Sequence, residues 1–91
     1  DLMPELSLSE EFGRLVREWR TQRGYSQEGF AYRCGIHRTY MTHIELGSKM
    51  PSIHVVARIA RGFEIELSEL FRVLEERGVT VARVTDEPTV R

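Results

Sequence analysis

Cysteine is almost absent from this chain. Of 91 residues only Cys34 is one, so no internal disulfide can form. The count does not itself reveal a redox compartment; a reducing cytoplasm is expected. No apolar run reaches the roughly 18 residues that a membrane-spanning helix needs, and the N-terminus lacks the basic-then-apolar layout of a secretory signal. A soluble protein with no membrane partner is therefore expected. The chain opens on Asp1 rather than Met, which suggests processing or trimming, and its first residues are given no weight. A glycine-rich phosphate loop is missing, as are paired carboxylates on one face and any nucleophile with a base and an orienter. An enzyme is not expected. His37 and His43 stand six residues apart on different helical faces, with no cysteine or carboxylate cluster beside them. That spacing gives no metal site, and no cofactor is expected.

A strong excess of one charge is also missing, since the net charge is −1, but the charges are unevenly spread. Residues 1–13 sum to −4, residues 14–61 to +6 and the remainder to −3. A basic middle between acidic ends is the asymmetry of a nucleic-acid face on one side of a small domain. Ordinary solvated helix charge is the alternative. The chain is long enough for one domain and short enough that it buries a smaller fraction of its surface than a larger one, so a dimer would help it.

What is present is helical periodicity. Ser7-Leu8-Ser9-Glu10 fits a capping box, and Phe12, Leu15, Val16 and Trp19 follow on one stripe. A first helix is expected from Leu8 or Ser9 to about Arg23, with Trp19 in the core and Gly24 as its stop. Ser26 can cap a second helix over about Gln27 to Cys34, which turns Phe30, Ala31 and Cys34 inward. Gly29 inside it costs up to ~1 kcal/mol relative to alanine, and Cys34 reads as a small buried hydrophobe. Gly35 ends that helix, because glycine takes a left-handed cap without penalty. In the third helix Ile36, Tyr40, Met41 and Ile44 face inward, leaving Arg38, Thr39, Thr42, His43 and Leu46 outside. Pro51-Ser52 starts a fourth helix over about Ser52 to Gly62, with Ile53, Val56, Ala57 and Ala60 as its buried stripe and Val55 and Ile59 widening it. A fifth runs from Leu67-Ser68 to about Arg77, carrying Leu67, Leu70, Phe71 and Leu74 on one face and Val73 off it.

Two short amphipathic helices joined by a tight glycine-containing turn, Ser26 to Gly47, form the helix-turn-helix signature, whose second helix can enter the major groove. Gln27, Ala31, Gly35 and the run Ile44-Glu45-x-Gly47 resemble the phage-repressor and Cro type of this domain. Phe30-Ala31-Tyr32, His37-Arg38-Thr39-Tyr40-Met41 and Arg61-Gly62-Phe63-Glu64-Ile65 resemble one branch, the controller proteins of restriction-modification systems. The resemblance covers roughly Phe12 to Phe71. It implies an all-α, five-helix repressor-like domain over residues 7–77, after a flexible leader of 1–6 and before an extension of 78–91. In that extension V-T-V-A-R-V-T alternates as a strand does, so it is either a short β-strand paired across a dimer or a flexible tail.

The resemblance also implies an ion pair between Arg20 and Glu45 that ties the first helix to the third, whose rupture would cost roughly 3–5 kcal/mol if fully buried. It places Arg38, Thr39 and Tyr40 among DNA contacts. Arg38 can donate two parallel hydrogen bonds to guanine O6 and N7; Thr42 and His43, one turn on, complete the expected base-reading set. Gln27 at a helix start is the first phosphate candidate, followed by Lys49, Arg14, Arg17 and His37, although His37 also reads as an N-cap. Leu46 and Met50 stand where this family often has polar or basic residues, and Glu64 where glycine is common. Because the helices carry more apolar surface than one small core encloses, a symmetric homodimer is expected through Val55, Ile59, Phe63, Ile65, Leu67, Leu70, Val73 and Leu74. Two functions remain: a homodimeric regulator of transcription on a pseudo-palindromic operator in double-stranded DNA, or an antitoxin-type module that engages a protein partner through the fifth helix or the extension.

Overall fold

The computed structural model describes residues 6–78, which form five α-helices: α1 Leu8–Gln22, α2 Gln27–Cys34, α3 Arg38–Leu46, α4 Ile53–Phe63 and α5 Leu67–Glu76. Most of the expected leader, and the strand or tail after Gly78, lie outside the described residues. Local chemistry sets the helix ends. The Ser7 hydroxyl accepts the Glu10 N–H at 3.2 Å while the Ser7 N–H donates to the Glu10 carboxylate at 2.9 Å, a reciprocal cap that starts α1. Ser26 and Ser52 cap α2 and α4 in the same sense, each accepting a backbone N–H three residues on.

Helices α2, α3 and α4 end alike, on a left-handed residue: Gly35 at φ 73°, Gly47 at φ 77° and Glu64 at φ 61°. The following N–H then returns to a carbonyl of the last turn, Ile36 to Ala31, Ser48 to His43 and Ile65 to Ala60. Glu64 has a Cβ that opposes this conformation by about 1–2 kcal/mol. Arg33 compensates from α2, since its Nε donates to the Gly62 carbonyl at 2.6 Å and its guanidinium pairs with the Glu64 carboxylate.

The core draws on every helix: Phe12, Leu15 and Val16 from α1, Phe30, Ala31 and Cys34 from α2, Met41 and Ile44 from α3, Val56, Ile59, Ala60 and Phe63 from α4, Leu70 and Leu74 from α5. Several expectations need correction. Ile53 is 62% exposed and Ala57 is exposed, so the buried stripe of α4 is Val56, Ile59, Ala60 and Phe63. Phe71 is exposed, whereas Val73, expected off the apolar face, is half-buried against the core. Trp19 is only half-buried; its ring meets Phe63 edge-on at 5.4 Å and carries the Arg23 guanidinium on one face. Among the proposed dimer contacts, Ile59, Phe63, Leu70 and Leu74 are enclosed in the chain's own core and offer no face to a partner. Val55, Ile65, Leu67 and Val73 remain partly accessible around its edge.

Two glycines set the closest helix approaches. A Cβ on Gly13 would collide with the Ile44 carbonyl of α3, and one on Gly62 would sit 2.5 Å from the Cys34 sulfur of α2. Gly13→Ala should destabilise the fold by about 1–3 kcal/mol or more, read from the shift in the urea midpoint at unchanged slope; a midpoint equal to wild type would show that α1 and α3 have slack between them. Burial raises the Cys34 thiol to about 11 from its ordinary 9. The unfolded chain therefore sheds this proton first as pH climbs, so the thiol's contribution to stability falls between about pH 9 and 11. Thiol labelling at pH 8 should be slow in native protein and fast in urea, and equal rates in both would contradict the buried placement.

Candidate nucleic-acid interface

Helix α3 is docked from behind by an ion pair. Arg20 Nε and Nη2 donate to the two Glu45 oxygens at 2.6 and 3.0 Å, and Arg20 Nη1 donates to the Tyr25 carbonyl at 2.8 Å. The side chains are 11% and 4% exposed, so water competes little for this fork-to-fork contact. Glu45 also accepts from Gln27 Nε2 at 3.1 Å, and the amide oxygen of Gln27 accepts the Thr42 hydroxyl at 2.7 Å. One polar chain thus runs from α1 through α3 to the start of α2 and back to α3. It fixes the roll of α3 about its axis, and with it which side chains face outward.

The outward set begins at Arg38, the first residue of α3, with a side chain 63% exposed. Among the described residues its acidic neighbour is Glu28, at 3.9 Å and itself 78% exposed, a distance and setting at which solvent screens most of the attraction. Thr39 is exposed; Thr42 and His43 are half-buried; Tyr40 packs its ring against the core. Leu46 closes the ridge, 69% exposed. Arg17, Gln27, Thr42 and Leu46 line one shallow groove with the Arg20–Glu45 pair at its floor. The remaining phosphate candidates differ in availability. Lys49 is exposed in the loop after α3. Arg14 pairs with Glu18 at 3.2 Å. His37 caps α3, its Nδ1 accepting the Thr39 N–H at 3.1 Å, which leaves the Nε2–H of its exposed ring to donate. Gln27 has one amide hydrogen left beyond those that lock α3.

Three arginines whose structural roles are not apparent from local sequence also frame the site. Arg58 Nη1 donates to the Gly35 carbonyl at 3.1 Å, pinning the turn between α2 and α3. Arg33 secures the end of α4 as described. Arg77 reaches Glu11 at 3.3 Å and Glu18 at 2.7 Å, tying the end of α5 to α1. The Arg77 hydrogen bond holds the Glu18 carboxyl below its usual range. No helical spacing could announce these, because their partners lie 23 to 66 residues away. Among the described residues there is no group of three or more metal-ligating side chains and no helix long and apolar enough to cross a membrane.

A second helix clamped from the rear, with an arginine and hydroxyl ridge at the front, is the helix-turn-helix arrangement of DNA-binding proteins, whose second helix can enter the major groove. The chain belongs to the helix-turn-helix family, XRE-like, of DNA-binding transcriptional regulators: the family described as Helix-turn-helix domain matches residues 11–73. That family is one of regulators, not enzymes. The chain is 36% identical over 66 residues to control protein C.MunI of Mycoplasma sp, covering 71% of this chain and 89% of that protein. The restriction-modification controller protein C.AhdI from Aeromonas hydrophila matches with a TM-score of 0.65 at 36% identity, over 69% of this chain and 96% of the other. C.Esp1396I, solved as a tetramer with its natural 35 base-pair operator, matches with a TM-score of 0.71 at 28% identity, over 79% and 95%. Against the Bacillus subtilis regulator SlrR, 35% identical over 60 residues, the match takes in 65% of this chain and only 40% of the relative.

Glu45→Ala should destabilise the fold by about 3–5 kcal/mol, since it strands the Arg20 guanidinium in a nearly dry site. Glu45→Gln, which keeps an acceptor, should cost less. Chemical denaturation measures both, and a loss under 1 kcal/mol for alanine would mean that the pair does not anchor α3.

Proposed function

We propose that this chain is a sequence-specific regulator of transcription that binds a pseudo-palindromic operator as a homodimer, with α3 in the major groove and a restriction-modification controller as its nearest functional type. The observation that carries the reading is the exposed Arg38–Thr39 start of α3 on a helix whose opposite side is locked by Arg20, Glu45 and Gln27. Helix N-terminal side chains are the ones that reach base edges in this geometry. The controller relatives, one solved on its operator as a tetramer, support both the DNA partner and assembly of more than one copy. Val55, Ile65, Leu67 and Val73 supply the accessible apolar edge for the dimer contact. Its place of action is then the cytoplasm.

In this reading Arg38, Thr39, Tyr40, Thr42 and His43 read bases, while Lys49 and Arg17, with the free hydrogen of Gln27, grip phosphates. Such phosphate contacts set register without carrying sequence information. Arg38→Ala should lower affinity for a selected duplex by roughly 5- to 100-fold and flatten discrimination at one base pair per half-site. Lys49→Ala should weaken all duplexes alike and reduce the salt slope by about 1. Fluorescence anisotropy on duplexes selected from random DNA reads both. Equal, sequence-independent losses from the two variants would overturn the assignment, and no binding at low ionic strength would overturn the function.

A further inference from the structure

The two backbone bonds that end α3, Ser48 N–H to the His43 carbonyl at 3.1 Å and Gly47 N–H to the Ile44 carbonyl at 3.0 Å, fold the chain back over the last turn of the helix. This brings the Ser48 hydroxyl to 3.2 Å from the His43 carbonyl and 3.3 Å from Nδ1 of the same residue's imidazole. A hydroxyl has one hydrogen to give. If it goes to the carbonyl, which can only accept and would take it as a third donor beside the Ser48 and Gly47 N–H groups, then Nδ1 must carry the ring proton and donate to Oγ, and both contacts are hydrogen bonds. If it goes to Nδ1, the carbonyl contact is lost and only one bond is made. The first arrangement also turns the ring N–H toward the negative end of the α3 dipole. Neutral imidazole holds a single ring proton, so Nε2 is left as a bare acceptor, with no hydrogen-bond partner among the described residues.

We propose that Ser48 holds His43 as its Nδ1–H tautomer, so that Nε2 meets the major groove as an acceptor and selects a base with an exocyclic amino group, adenine or cytosine. The inference rests on the reading of α3 as the helix that reads DNA. Adenine N6 and cytosine N4 are the donors on the major-groove edge; guanine O6 and N7 and thymine O4 are acceptors, which a second acceptor repels. The neighbouring threonines do not supply this polarity, because a rotating hydroxyl both donates and accepts, and the Thr42 hydroxyl is already directed at Gln27. His43 is thus the residue that selects the amino-bearing base, and Ser48 the positioning residue that decides what His43 selects.

Two measurements on the full chain test this. The first is nitrogen-resolved NMR of the free protein near pH 8, the His43 signals being those lost in His43→Ala. Wild type and Ser48→Thr should show a protonated Nδ1, and Ser48→Ala should move toward the Nε2–H form that an unconstrained histidine side chain prefers. The second is anisotropy on a duplex selected from random DNA, with the adenine or cytosine at the base pair that His43→Ala no longer discriminates replaced by an analogue lacking the amino group. The analogue should cost wild type and Ser48→Thr about three- to tenfold in affinity, the worth of one hydrogen bond. It should cost His43→Ala nothing, and in Ser48→Ala discrimination should flatten. An Nε2–H signal in wild type, or an amino deletion without effect, overturns the proposal. If no duplex binds, the functional reading falls and base selection with it, while the spectrum still decides the tautomer.

Discussion

The contact between the Arg20 guanidinium and the Glu45 carboxylate is the constraint from which the rest of the site follows. It joins residues 25 apart in sequence, is made through two parallel hydrogen bonds, and is almost out of water. A pair in that setting punishes any movement that separates its members, because a lone buried charge costs far more than the pair gains in forming. The roll of α3 is therefore restricted to a narrow range. Gln27 and Thr42 extend the same restraint to the start of α2, so the two halves of the helix-turn-helix are held to each other by polar bonds as well as by Phe30, Ala31, Met41 and Ile44.

The chain's near-zero net charge gives a poor picture of its reading face. Much of the acid in the helical body is engaged by arginine: Glu45 by Arg20, Glu11 and Glu18 by Arg77, Glu64 by Arg33. These pairs consume negative charge where it braces one helix against another. On the front of α3 the balance differs, since among the described residues Arg38 faces a distant and solvated Glu28. A mildly acidic protein can present a locally positive edge in this way, which is the quantity a phosphate backbone senses within a Debye length.

Helix positions were largely legible because their ends are local: Ser7 with Glu10, Ser26, Gly35 and Gly47 each sit within three or four residues of what they satisfy. The face that α4 buries was not. A helix with apolar residues on several sides offers more than one candidate stripe, and what decides is the flush contact of Gly62 against Cys34 and Phe30, a fact about tertiary approach. Half of the expected dimer set proved to be core for a related reason: Ile59 and Leu70 are as apolar as Val55 and Leu67, and periodicity does not tell a core position from an interface one. Within the site, Arg38 and Thr39 could be placed on the outer face by spacing alone. Gln27 could not be resolved, because its partners Thr42 and Glu45 stand 15 and 18 residues on. The pairing of Ser48 with His43 lay closer, five residues apart, but depends on a turn geometry that residue types only hint at.

Where α1 passes behind α3, Gly13 lies directly against the Ile44 and Glu45 carbonyls, so no layer of side chains separates the two backbones there. Side-chain layers are what usually let one helix shift a fraction of an ångström over another; main chain set on main chain has no such cushion. Helix α3 is thus a rigid die rather than a sprung one. On the proposed function, when it seats on a site of imperfect shape the strain of fitting has to be taken up by the duplex, in groove width and local bend, so operators would be ranked partly by how easily their uncontacted steps deform.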